Sequence, residues 1–490
     1  MLINREIKMI KTKIYRVLER LDMFQLNRLE KFITSPYFNT NSHLVNLFGI
    51  LKSMLRPGSD EQYSKQNVWA QLFPVEEFRD PRFRKLCNDL LQLIEAFFIA
   101  EQMNLEPLSA LTLLLDAVQQ EKQVDLYKSS LSKVRNQLSK SIHRDAAYYL
   151  LRYHIDQCIY HISQSNLQRF EIANIEEILE DLDAFYISEK LRLHCEILSR
   201  RTFRTHDYHN KFIDPILTRI EAGDFRHITP VQVFYQIILT HLFPDDTKHY
   251  FQLKDLLGES AHLLPPNQMK EAYDSALNYC NRQINRGKKE FLRESFILYK
   301  TLLKKEMIYI DGQITHWTFK NVISIALRLE EFAWTKEFIV NYGHKIPEKY
   351  RANAMTYNFA QLHFYQGNYP KVLELLQEVE YDDVTYNLGA KSMLLATYYE
   401  LQEWDPLFSL ADSFRIYLNR KKQAISERRR INYINLVKFV TKLAKLLPNQ
   451  KEQVIKLELA LNKEPGVASE KWLREKIQEK KGTVISRIKG

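Results

Sequence analysis

The chain has 490 residues, 45% of them apolar and 27% charged. That length exceeds the size at which one hydrophobic core keeps growing, and the proportions exclude disorder on a large scale. Glycine accounts for only 12 residues, about a third of the usual share of roughly 7%. Phosphate-cradling loops and tightly turned sheets are therefore disfavoured, and long helices joined by short polar bends are expected.

The stretch Met1 to Gln25 mixes Arg5, Lys8, Lys11, Lys13 and Arg16 with isolated apolar residues. It lacks the apolar segment and small-residue cleavage site of a secretory leader. The longest apolar run, Val231 to Phe243, is broken by Gln232, Gln236, Thr240 and His241, short of the ~18 residues a membrane span needs. The four cysteines, Cys87, Cys158, Cys195 and Cys280, show no close pairing. Together these features predict a cytoplasmic protein without a membrane span.

Taken in chain order, residues 1–105 read as an N-terminal helical domain. It comprises short helices, a turn at Ser35-Pro36-Tyr37-Phe38-Asn39 and a long helix from about Phe83 to Gln102. Residues 106–310 read as an irregular helical-hairpin region. There Tyr148, Leu151, Ile155, Cys158 and Ile162 step by three and four, as do Leu292, Phe296, Tyr299 and Leu303, each set forming one apolar stripe. Breaks fall at Gly223-Asp224 and Pro265-Pro266-Asn267. Alternating runs bounded by hairpin turns are absent. The punctuation predicts an all-α protein with on the order of twenty helices.

From about residue 311 to 420 a period emerges. Trp334, Tyr369 and Trp404 are spaced by 35 residues and 35 again, each after a short polar bend and each opening an apolar helix. Such a period is one helix–turn–helix unit of a solenoid. The clearest unit is Tyr357-Asn358-Phe359-Ala360, then Tyr365-Gln366-Gly367-Asn368-Tyr369-Pro370, then Val372-Leu373-Glu374-Leu375-Leu376. These residues resemble the tetratricopeptide (TPR) repeat, with Ala360 at a helix crossing and Gly367 and Tyr369 as its turn pair. The resemblance covers roughly Phe319 to Asn419, with a degraded echo from Asn285-Arg286-Gly287 to Leu303. Counted at 35 residues, Phe332 and Gln402 stand where Gly367 sits, and Val372, Leu407 and Glu337 replace the alanine of the second helix. The resemblance implies an α-solenoid of stacked helical hairpins. The first helix of each hairpin would line a concave face, presenting Tyr357, Gln361 and Tyr365 from one unit and Ala396, Tyr399 and Glu400 from the next. Tyrosines so placed make good anchors for a partner. No row of Lys, Arg and Asn on this face matches the clamp that some TPR domains use to hold the terminal carboxylate of a partner.

The net charge of +10 is not spread evenly. Residues 415–490 hold 20 Lys/Arg against 7 Asp/Glu, and the remainder is close to balance at 50 against 53. Basic C-terminal helices from 421 to 490 carry Arg428, Arg429 and Arg430, then Lys438, Lys442 and Lys445 in one line. Such a patch attracts phosphate, acidic protein or an anionic membrane surface, or caps a repeat array.

Catalytic and metal motifs are thin. His154, Cys158 and His161 fall within about 60° of arc on one helix, with His194 and Cys195 on a nearby one, a set zinc would accept. Cys158, however, is the middle of an apolar stripe, where cysteine acts as a small hydrophobe. Nucleophile-elbow, phosphate-loop, dinucleotide and zinc-protease signatures are all missing. The expectation is a non-catalytic interaction scaffold or adaptor, without cofactor or metal, binding a partner peptide or helix in a groove. The alternative is a nucleic-acid or ribonucleoprotein factor that meets phosphate through its basic C-terminal region.

Overall fold

The computed structural model describes residues 8–55, 64–121, 123–166, 175–201, 208–377, 383–447, 450–464 and 466–486. Among them 23 α-helices form and no strand; extended pairing is confined to two isolated bridges, Lys8 with Ser64 and Ile310 with Gln313. No helix among the described residues is long and apolar enough to cross a membrane. The protein divides into two compact units, Met1–Lys190 and Leu191–Gly490.

The first unit contains α1 (Lys13–Leu18), α2 (Met23–Ile33), α3 (Ser42–Met54), α4 (Lys65–Leu72), α5 (Asp80–Leu105), α6 (Pro107–Gln120), α7 (Val124–Ser139), α8 (Ala146–Asn166) and the start of α9 (Ile175–Arg201). Helix starts follow local chemistry. Asp22 and Gln25 form a reciprocal capping box at α2, and Ser64 caps α4. One core gathers α1 to α5 around Phe48, Trp69, Phe83 and Leu90. A second joins α6, α7 and α8 through Leu115, Val134, Ile155 and Cys158.

The second unit runs on through α10 (Ile213–Ala222), α11 (Thr229–Leu242), α12 (Lys248–Glu259), α13 (Pro266–Asn285) and α14 (Glu290–Lys304). Then follow α15 (His316–Arg328), α16 (Phe332–Tyr342), α17 (Glu348–Tyr365), α18 (Tyr369–Gln377), α19 (Val384–Glu400), α20 (Trp404–Arg420), α21 (Glu427–Lys445), α22 (Lys451–Asn462) and α23 (Glu470–Ser486). From α15 to α21 each odd-numbered helix packs on the next helix and on the next odd one: α15 on α16 and α17, α17 on α18 and α19, α19 on α20 and α21. Apolar faces at three- and four-residue spacing, such as Phe319, Val322, Ile323 and Ala326 of α15, supply the buried surface.

One hydrogen-bonded turn recurs at the hinge of successive pairs. The backbone N–H of Lys288 reaches back to Gln283, Glu331 to Ala326, Asn368 to His363 and Glu403 to Tyr398, each spanning five residues. The residue before each donor is left-handed: Gly287, Glu330, Gly367 and Gln402, with φ of 91°, 61°, 75° and 61°. This is the Schellman arrangement, which occupies the last orphan carbonyls of a helix. It corrects the sequence alignment at one point. The counterpart of Gly367 in the preceding pair is Glu330, 37 residues back, and not Phe332, which lies inside α16.

Candidate functional site

Odd-numbered helices of the second unit turn one face toward a cleft of about 670 Å³. Lys320 comes from α15; Tyr357, Gln361 and Tyr365 from α17; Gly389, Ala396 and Glu400 from α19; Arg429 and Asn432 from α21. The far wall is α23 with the turn before it, through Ser469, Trp472, Glu475 and Lys476. Positions 357, 361 and 365 share the wall because steps of four residues keep side chains on one helix face.

The four predicted groove residues meet different fates. Tyr365 is 43% exposed. Gln361 is half-buried, and its Oε1 is enclosed without a hydrogen-bond partner among the described residues. Tyr357 also lines the cleft but is only 2% exposed, because Gly389 on α19 has no Cβ and the phenol occupies that space. It forms floor rather than free anchor. Tyr399 is not among the residues that line the cleft. Its ring sits edge-on between Trp404 and Trp472, at 5.8 and 5.6 Å between centroids, while Glu400, about 100° further round the helix, turns inward.

At the Glu400 end, the Trp472 indole N–H donates to Glu400 Oε1 at 2.6 Å, and Lys476 Nζ lies 3.0 Å from Oε2. At the other end, Lys320 Nζ stands 4.8 Å from the ring centre of Tyr357 and 4.9 Å from that of Tyr386. Burial, with the charge of Arg429 beside it, lowers the Lys320 ammonium to about 8, against the opposing field of Asp383. Nothing in the 35-residue sequence pattern placed Lys320, Trp472 or Lys476 on a shared cleft. A signal for Lys320 existed: stepping back 37 residues, as from Gly367 to Glu330, carries Tyr357 onto Lys320. For α23 there was none, since no period connects it to α19.

Beside the cleft, a smaller cavity of about 300 Å³ is lined by His316, Lys349, Tyr350, Asn353, Asp383 and Tyr386. The buried His316 Nε2 faces Asp383 Oδ2 at 3.8 Å, its ring stacks on Tyr350 at 4.3 Å, and burial lowers its pKa. Among the described residues its lining includes no serine, threonine or cysteine.

The predicted basic patch splits. Arg429 turns into the cleft and donates to Thr385 Oγ1 at 3.1 Å, Arg428 is exposed and Arg430 half-buried. Lys438, Lys442 and Lys445 do share a face, lining a shallow depression with Phe408, Asp412, Arg415 and Thr441. Lys438 is paired with Glu464 at 2.7 Å and Arg415 with Asp412 at 2.8 Å, whereas Lys442 and Lys445 are exposed.

His154 is exposed, and the side chain of His161 lies outside the described residues. Cys158 is buried with its thiol toward Asp116 Oδ1 at 3.3 Å, and burial with that carboxylate pushes its pKa up to about 12. His194 contacts Asn210 through Nδ1, and the Cys195 thiol donates to the Phe234 carbonyl. Among the described residues no three His, Cys, Asp or Glu side chains group to hold a metal ion. Comparison of the sequence and structure with models of known families, with curated proteins and with solved structures finds no match.

Proposed function

We propose that the protein is a non-catalytic scaffold whose cleft holds an extended peptide or helix of a partner protein. The helix pairs from α13 to α21 would stack as an α-solenoid of the kind the TPR resemblance implies, with α23 across its inner face. The observation that carries this reading is the cleft wall itself. Tyr365 offers an exposed anchor, and one turn away Gln361 Oε1 offers a buried acceptor with its hydrogen bond unmade among the described residues. A peptide N–H supplies the missing donor, and an enclosed acceptor left alone costs about 1–3 kcal/mol. The test is binding of the full-length protein to a random peptide library. Tyr365→Ala and Gln361→Ala should each weaken the selected peptides, on the order of tenfold, without lowering the melting temperature. Selected peptides indifferent to both changes would contradict the reading.

A second reading draws on the depression over α20 and α21, where Lys442 and Lys445 stand exposed beside Lys438 and Arg415. Nucleic-acid phosphate would bind there with a steep salt dependence. Binding of generic RNA or DNA abolished by replacing both Lys442 and Lys445 with alanine would favour it. Binding that survives that change would discard it.

A further inference from the structure

Two cations, Lys320 and Arg429, face the cleft, and among the described residues neither is in an ion pair with a carboxylate. Lys320 Nζ, held over the rings of Tyr357 and Tyr386, makes no hydrogen bond or ion pair among the described residues. Arg429, whose charge bears on it, has one polar contact among the described residues, the hydroxyl of Thr385. Asp383 is the described carboxylate whose field reaches Lys320, and it partly offsets the charge there without pairing with it. Its Oδ1 accepts from the backbone N–H groups of Thr385 and Tyr386 at the start of α19, and its Oδ2 faces His316. Aromatic faces attract a cation but do not discharge it. Two like charges in a partly desolvated cleft raise each other's energy, and an anion between them reverses the sign of that interaction.

The rest of the lining agrees. Lys320, Arg429, Lys471 and Lys476 stand against Glu400 and Glu475, and Glu400 is already occupied by Lys476 and Trp472. An acidic segment entering the cleft meets net positive charge, with tyrosine and glutamine along the α17 wall to receive its backbone.

We propose that Lys320 and Arg429 form an anion seat, and that the cleft selects acidic peptides by placing a side-chain carboxylate between them while the peptide runs past Gln361 toward Tyr365. This rests on the peptide-groove reading and narrows it to one ligand chemistry.

The experiment uses full-length protein and an N-acetylated, C-amidated hexaglutamate, with hexaglutamine of the same length and inorganic phosphate as comparison probes. Acylation of Lys320 by an amine-reactive reagent at pH 8 is followed by mass spectrometry, and peptide binding by fluorescence anisotropy. Hexaglutamate should slow Lys320 acylation at least fivefold and hexaglutamine should not. Lys320→Met and Arg429→Gln should each weaken hexaglutamate on the order of tenfold, and Arg428→Gln, at an exposed neighbour, should leave it unchanged. Equal loss with Arg428→Gln would reduce the effect to general surface charge and overturn the seat. Protection by phosphate with none by hexaglutamate would overturn the peptide as occupant. If library peptides lacking Asp and Glu bind in a Tyr365-dependent way while hexaglutamate does not protect Lys320, the seat falls and the groove stands. If no peptide binds at all, both fall.

Discussion

Trp472 and Glu400, 72 residues apart in the sequence, are joined by a 2.6 Å hydrogen bond from the indole N–H to the carboxylate. The second oxygen of Glu400 pairs with Lys476, one turn along α23, and both members of that ion pair are largely buried. Removing one partner of such a pair leaves a charge uncompensated, at a cost of roughly 3–5 kcal/mol. Lys476 retains Glu479, so Glu400→Gln should cost less, about 1–3 kcal/mol. Equilibrium unfolding in urea measures it, and a Glu400→Gln/Lys476→Met cycle should show coupling of at least ~1 kcal/mol. A loss under a few tenths in both would mean that α23 is not anchored there.

That contact also marks where the sequence stops being legible. Helix ends were readable because they are written locally. Gly223-Asp224, Pro265-Pro266-Asn267 and Gly367 in its polar bend act within five residues of themselves. That positions 357, 361 and 365 share one face of α17 was readable from their steps of four, whereas their place on a groove was only what the TPR resemblance implied. What occupies that face was not readable. Tyr357 is buried by a glycine 32 residues away, and the far wall of the cleft comes from a helix that shares no period with the others. Contacts between distant segments follow from packing, which spacing does not encode.

Lys320 sets a pH dependence. Its folded pKa of about 8 lies below the ~10.4 of a free lysine, so between those values the unfolded state holds more protons. Stability of the second unit should therefore rise as pH increases from 8 to 10. The size is on the order of 2 kcal/mol at roughly 1.4 per pKa unit. Lys320→Met should be more stable than the parent at pH 7 and should lose this rise. Parallel curves for the two proteins would refute the assignment.

Asp181 gives the opposite slope in the first unit. Burial, opposed by Arg152 and reinforced by Asp156 and Glu180, raises its carboxyl to about 7. The folded state then binds the extra proton between about 4 and 7, so its contribution is fully present at low pH and is lost as pH rises through 7. Asp181→Asn should flatten that fall, measured as melting temperature from pH 4.5 to 7.5. An unchanged slope would show that Asp181 ionises normally.

Of the Schellman turns at the four hinges described above, two place a side chain where glycine is favoured. A left-handed residue other than glycine costs about 1–2 kcal/mol, part of which the flexibility of glycine in the unfolded state returns. Glu330→Gly and Gln402→Gly should each stabilise the protein by roughly 0.5–1 kcal/mol. In denaturant titrations the midpoint should move upward, and a downward move would mean that the side chains hold those turns.

Gly49 and Gly389 lie in helices but face opposite surroundings. A methyl group added at Gly49 in α3 meets open space, and Gly49→Ala should gain about 0.5–1 kcal/mol from helix propensity. At Gly389 the same methyl collides with the Tyr357 hydroxyl, and Gly389→Ala should lose about 1–3 kcal/mol. Thermal melts of the two variants should shift in opposite directions.

The notch at Gly389 has a consequence for how neighbouring hairpins align. Sliding α17 along α19 by one turn, about 5.4 Å, would drive the phenol into Met393 or Thr385 instead of an empty Cβ position. One missing methyl thus works as a locating pin, accepting a single offset between consecutive pairs and rejecting its nearest alternatives.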